Sequence, residues 1–289
     1  MAGLPKVELA GSRKAMGECF GEQFREDIQN FAQSRMDHLV AFVQRHDPER
    51  NLSRDGVLEL ARSTIEAHQQ FEPAIWEEFQ SIARAADLTV EELLIENGYT
   101  DFRDFVLFSG DTFRGAVPDH LGECSAFLAP AERAGAHPIV GQTWDMNADA
   151  AEFCMIVHRR PDDAPETLGL TSAGCLCLIG MNSEGVSVAN TNLVPTDPQV
   201  GVNYLFTITR ALQASSAEEA AGLVESAPRL SGHNYYMADD RTAIDVETTA
   251  AKSHRTVVEG GVLVHTNHYL SNSLKPLEFS GQDLRNSTW

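Results

Sequence analysis

Cysteine brings the strongest nucleophile to this chain of 289 residues, and of its five cysteines Cys124 has the most telling neighbours. The segment Leu121-Gly122-Glu123-Cys124-Ser125-Ala126-Phe127 sets a thiol at the start of a β-type run, just after a glycine-containing loop. A second run ends Val140-Gly141-Gln142-Thr143-Trp144-Asp145-Met146, and a turn-like stretch from Ala131 to His137 separates the two. A hairpin folded about Ala134–Gly135 places Cys124 opposite Asp145, with Cβ atoms about 5 Å apart. A free thiol has a reference pKa of about 8.5 and holds little thiolate at neutral pH, so it needs a base. A cut between Glu123 and Cys124 would supply one, because the α-amine of a terminal cysteine titrates near 8 and lies at bonding distance. Asp145 would then orient that amine and hold its charge. Such chemistry also needs an oxyanion donor. Asn234, at the start of the run Asn234–Ala238, offers an amide N–H, and Asn192 is a second candidate.

Other groupings read as structure. Cys175-x-Cys177 lies among leucines without a second pair and reads as core. His265 and His268 lack a third ligand nearby in the sequence and read as a loop near the site. Asp145-x-Asn147-x-Asp149 imitates a calcium loop, without the glycine at position six or the acid at position twelve. There is no Gly-x-Ser-x-Gly elbow and no phosphate loop. The site therefore requires neither metal nor cofactor.

The elements that position these residues fall into two textures. Up to about residue 115 the chain reads as helix, with apolar residues three and four apart from Met16 to Phe42, then helical stretches over 55–70, 73–85 and 89–105. Pro73 suits a first helical turn, and Thr89 with Glu92 makes a capping box. After Pro118 β-type runs dominate: 124–128, 138–144, 153–159, 176–181, 186–191, 234–238, 243–248, 255–258 and 262–265, broken by helices over 204–213 and 217–226. The pattern is α+β.

A net charge of -20, with Lys6, Lys14, Lys252 and Lys275 as the lysines, repels phosphate backbones and anionic lipid. Nucleic acid and membrane partners are thereby excluded. The charge favours amine-bearing substrates and opposes a polyanionic donor such as acyl-coenzyme A. Five cysteines at irregular spacing, no leader-like segment and no long apolar run lead to the expectation of a reduced, cytoplasmic setting.

Taken in order, Gly-Glu-Cys124-Ser-Ala-Phe, Gly-Gln-Thr-Trp-Asp145, Gly180-Met-Asn-Ser-Glu-Gly-Val, Asn234-Tyr-Tyr-Met and Thr266-Asn267-His268-Tyr269 resemble the penicillin acyltransferase-like family of N-terminal-nucleophile hydrolases. This family also includes β-alanyl-amine hydrolases. The resemblance runs from the helical N-terminal part to the last residue, with the Cys124 and Asp145 blocks as its most specific pieces. It implies a four-layer αββα sandwich and a precursor that cuts itself before Cys124. Residues 1–123 would become a helical α chain, and 124–289 a catalytic β chain of the same domain. By position, Cys124 would be the nucleophile, Asp145 its orienting acid and Asn234 the oxyanion residue, with Ser125 beside the nucleophile as a substrate contact. A Ser-x-x-Arg element of the family places its serine on Ser287, a further substrate-binding candidate, and its arginine past Trp289.

The expectation is a self-processing amidase or acyltransferase that forms a thioester on Cys124 from a small-molecule amide. The alternatives are acyl-coenzyme A-dependent transfer of the penicillin type, an uncleaved thiol enzyme with His265 as base, and an unprocessed binding protein of the same fold.

Overall fold

The computed structural model describes residues 3–46, 52–108 and 123–279. It opens on a strand, β1 (Lys6–Gly11), within the stretch whose texture reads as helix. The helices α1 (Arg13–Gln23), α2 (Arg25–His46), α3 (Arg54–Ser63), α4 (Ile65–Phe71), α5 (Pro73–Ala85), α6 (Val90–Asn97) and α7 (Tyr99–Phe108) follow. Their starts are coded locally. The Ser12 and Ser53 hydroxyls accept backbone N–H groups of α1 and α3, Pro73 occupies the first turn of α5, and Thr89 and Glu92 close a capping box on α6.

The second half supplies β2 (Glu123–Ala129), the short α8 (Ala131–Ala134), β3 (Ile139–Asp145), β4 (Cys154–Pro161), β5 (Thr167–Ser172), β6 (Ile179–Asn182) and β7 (Ser187–Asn192). Then come α9 (Tyr204–Ala211), α10 (Ala217–Ser226), β8 (His233–Ala238), β9 (Ala243–Thr248), β10 (Ser253–Val257) and β11 (Leu263–His265). The run read over 176–181 is a strand only from Ile179, and β5 lies in a stretch the alternation does not flag. Cys175 and Cys177 sit before β6, buried, and the Cys175 thiol donates to Glu96 Oε1 at 3.6 Å.

Eight strands form one sheet in the order β1-β4-β5-β6-β7-β8-β9-β10, and β11-β2-β3 form a second. Within the large sheet only β1 with β4 is parallel. Strand alternation gives that sheet two different faces. Leu9, Met155, Val157, Val188, Tyr235, Met237 and Val246 pack with the helices in the main core. Ala189, Tyr236, Ala238 and Ala243 face the small sheet and meet Ala126 and Leu128 of β2. The class is α+β with a helical N-terminal segment, as the sequence implies. Among the described residues the helical layer covers one face of the large sheet and the small sheet covers the other, with Phe127, Ile139 and Val264 exposed on the small sheet's outer face.

The two halves are not separable lobes. β1 is hydrogen-bonded along β4. The buried Glu78 carboxylate of α5 receives Arg13 Nη1 and Arg159 Nε, each at 3.1 Å, and so ties α1 and β4 to one acid.

Candidate active site

Cys124 is the second residue of β2, and both neighbouring strands of the small sheet contribute to its surroundings. Against β3 it is opposed to Trp144, while Glu123 pairs with Asp145. The ladder is thus one residue out of step with a hairpin folded about Ala134–Gly135. The connection is not a tight turn: α8 occupies 131–134, and Gly135 leaves it at φ 113°, a left-handed value that glycine tolerates. That extra turn of helix resets the register.

Against β11 the pairing runs Leu263 to Leu128 and His265 to Ala126. Continued two residues beyond the strand, this register sets Asn267 opposite Cys124. There Asn267 Oδ1 accepts the Cys124 backbone N–H at 2.6 Å, and Asn267 Nδ2 donates to the Asn192 carbonyl at 2.9 Å. Asn267 falls in one of the segments that carry the family resemblance, but nothing in its own run of sequence marks it as a partner of Cys124.

The Cys124 side chain is buried, and burial pushes its thiol up from the ordinary value. The negative charge of Asp145 pushes the same way, while the backbone N–H groups of Asn192 and Asp145 and the Asn267 amide pull the other way. The uncut chain therefore holds a neutral thiol at neutral pH. Beside it lies a small cavity lined by Thr100, Trp144, Asp145, Met146, Leu178, Asn190, Asn192, Tyr204 and His233. Both atoms of the Asn192 amide and the Thr100 hydroxyl are buried with no hydrogen-bond partner among the described residues. Unpaired polar atoms of this kind are costly to bury, so groups left open to a cavity mark a place where a ligand atom is received.

His233 is also at the wall, held between two partners. Its Nε2 meets Asp101 Oδ1 at 2.8 Å and its Nδ1 meets Asn190 Nδ2 at 3.1 Å, while its ring stacks on Tyr204 at 4.5 Å between centroids. With both nitrogens engaged, this imidazole is a structural strut between α7 and β8. His265 does not line the cavity. Its Nε2 meets Glu247 Oε1 at 3.1 Å and its Nδ1 meets the Thr266 carbonyl at 2.8 Å, so it is not placed as a base for Cys124.

Of the residues singled out from the sequence, Cys124, Asp145 and Asn192 meet at one cavity. Asn234 is fully buried but does not line it. Paired with Thr191 and Glu247, its side chain lies on the small-sheet face of β8 with Tyr236, where it bears on Asp245, whose carboxyl burial pushes up to about 6. One step along β8 changes the face, and His233, not Asn234, stands at the cavity wall. Ser125 points the opposite way from Cys124 and is exposed, its N–H donating to Thr143 Oγ1 at 3.1 Å. The backbone of Glu123 belongs to β2, and Ser287 lies outside the described residues.

Among the described residues no group of three or more histidine, cysteine, aspartate or glutamate side chains is arranged to hold a metal ion, and no helix is long and apolar enough to cross a membrane.

Residues 132–286 match the sequence profile of the family described as acyl-coenzyme A:6-aminopenicillanic acid acyl-transferase. A 26% identity over 222 residues relates the chain to the acyl-coenzyme A:6-aminopenicillanic-acid-acyltransferase 40 kDa form of Emericella nidulans. That alignment takes in 74% of this chain and 57% of the relative, so the chain spans little more than half of the relative's length. Among solved structures, a C2A mutant of conjugated bile acid hydrolase from Clostridium perfringens aligns with a TM-score of 0.38 at 14% identity, over 52% of this chain and 54% of that one. Penicillin V acylase from Agrobacterium tumefaciens aligns with a TM-score of 0.28 at 13% identity, over 46% and 41%.

Proposed function

Because the chain belongs to the acyl-coenzyme A:6-aminopenicillanic acid acyl-transferase family, we propose that it cuts itself between Glu123 and Cys124 and then uses the freed cysteine to break a small amide. The observation that carries this reading is the double grip on Cys124. Its N–H is held by Asn267, and its thiol lies beside a cavity where the Asn192 amide has no partner among the described residues.

In the first step Cys124 Sγ attacks the Glu123 carbonyl carbon. The C–N bond breaks as the nitrogen takes up the thiol proton, and the acyl group passes to sulfur as a thioester. Water hydrolyses that thioester, leaving a carboxylate on Glu123 and a free α-amine on Cys124. The amine is then the base the thiol lacked. It accepts the thiol proton while Asn267 Oδ1 holds one of its N–H bonds, and the thiolate attacks the substrate carbonyl. The resulting oxyanion takes a hydrogen bond from the Asn192 amide, in the oxyanion role that position along the chain alone would give to Asn234. Collapse expels the amine half, protonated by the Cys124 ammonium, and leaves an acyl thioester. Asp145, exposed at the cavity mouth, holds the ammonium charge.

Water completes a hydrolysis and an acceptor amine completes an acyl transfer. We favour hydrolysis, because a surface of net charge -20 opposes a polyanionic coenzyme A donor. The family name favours the transfer reaction, so acyl-coenzyme A is the alternative donor.

The test is the intact mass of the purified protein under denaturing conditions, beside Cys124→Ala. We expect two fragments meeting at Glu123/Cys124 in the parent and one full-length species in the variant. A single species in both would overturn the processed-nucleophile reading and leave an uncleaved thiol enzyme or a binding protein.

A further inference from the structure

A second small cavity adjoins the one beside Cys124, and Trp144, Met146, Leu178 and Tyr204 line both. Its far wall is built around Arg35 of α2, a side chain only 1% exposed. The guanidinium is held from its flat side, 4.5 Å from the Phe31 ring centre and 5.2 Å from that of Tyr99. Along its edge, none of Nε, Nη1 or Nη2 makes a hydrogen bond to any described residue. Asp149 Oδ1 comes within 3.7 Å of Nη2, close enough to share charge and too far to bond. That oxygen is likewise buried without a partner, as is Glu96 Oε2 on the same cavity wall.

A buried guanidinium with its whole donor edge bare is an expensive arrangement for a structural residue, since buried arginines are ordinarily paired. The flat fork matches a carboxylate, two parallel N–H bonds to two oxygens, better than any other common group. Burial pushes the Glu96 carboxyl well above its usual range, toward the protonated form that can donate a hydrogen bond. Asp149 is partly open to solvent and neutralises Arg35 only at a distance.

Resting on the functional reading above, we propose that the substrate is an amide with a carboxylate on one arm, and that Arg35 is the specificity-determining residue that receives it, one cavity away from Cys124.

The experiment uses the full chain carrying Cys124→Ala, so that neither processing nor turnover intervenes, and titrates it calorimetrically with hexanoate and with hexanamide, its neutral isostere. We expect hexanoate to bind at least tenfold more tightly, the ratio that one to two charge-assisted hydrogen bonds supply. Adding Arg35→Met abolishes the preference, and Arg35→Lys restores part of it. Equal binding of acid and amide, or no hexanoate binding, overturns the proposal. That comparison needs no change at Arg35, so it decides the matter even if Arg35→Met fails to fold. A preference for hexanoate in a protein whose parent form never cleaves itself would sink the catalytic reading while leaving the carboxylate site standing. Turnover of amides with no preference for the acid-bearing ones would do the reverse.

Discussion

At the scale of single residues, the proposed mechanism gives separable duties to two asparagines near Cys124, Asn192 on β7 and Asn267 just past β11. The Asn192 amide at the cavity has no partner among the described residues, so on the proposed mechanism Asn192→Ala removes an oxyanion donor, and kcat on an amide is expected to fall by about 10²–10³-fold. Asn234→Ala, changed on the opposite face of β8, should leave kcat close to that of the parent. Steady-state kinetics on the processed protein checks both, and equal losses would return the oxyanion role to Asn234. Asn267→Ala frees the Cys124 nitrogen and is expected to slow the appearance of the two fragments in a time course of intact mass. A different residue, His68, adds to the loss of stability in acid. His68 is fully buried, its Nδ1 bonding the Thr64 carbonyl and its Nε2 accepting the Asn203 N–H, a neutral ring with both positions used. Burial lowers its pKa to about 4, with the Thr64 contact acting weakly in the opposite direction. A histidine whose folded value lies below its unfolded one contributes fully above about 6.5 and loses that contribution as pH falls toward 4 and below. The loss amounts to roughly 3 kcal/mol at its fullest. His68→Gln should flatten this part of the profile in denaturant unfolding measured between pH 7 and pH 4.

At the scale of elements, α1 packs closely against α5. A Cβ on Gly17 would lie 2.3 Å from the Glu78 carbonyl, and one on Gly21 would lie 2.6 Å from Ala85 Cβ. The obstacle at Gly17 is backbone, so the helices themselves would have to part. Gly17→Ala is expected to cost about 1–3 kcal/mol, read as a lower urea midpoint with an unchanged slope. The same displacement strains the Arg13–Glu78–Arg159 triad, because Glu78 belongs to the very turn that Gly17 packs on.

At the scale of the molecule, the cut at Glu123/Cys124 would divide the covalent chain without dividing the fold. Across that point β1 pairs with β4, Asn97 Oδ1 accepts the Leu176 N–H at 2.9 Å, His68 accepts the Asn203 N–H at 3.0 Å and Asp104 accepts the Ser231 hydroxyl at 2.8 Å. The two fragments should therefore co-elute in native size-exclusion chromatography and separate only in denaturant. The net charge of -20 also acts on the whole approach of a ligand. A carboxylate-bearing substrate meets a repelling field, so its kcat/KM should rise with salt up to the point where a Debye length of about 10 Å or less screens that field. A neutral amide should show no such trend.

What the sequence determined by itself is what short-range rules encode. Helix starts follow from Ser12, Pro73 and the Thr89–Glu92 box, strand texture from alternation, and the choice of Cys124 from its place at the head of a strand. The α+β class follows from the change of texture near residue 118. Tertiary structure decided everything that depends on which strand faces which. The helical turn at 131–134 moved the hairpin register by one and set Trp144, not Asp145, opposite the thiol. A one-residue parity along β8 turned Asn234 toward the second sheet and His233 toward the cavity. Asn267 met Cys124 across 143 residues, and Arg35 came to the cavity next to that of Cys124 from a helix that periodicity shows only as amphipathic. Faces and registers are set by the summed packing of distant segments, and a parity error of one residue exchanges core for cavity, so no local pattern carries that information.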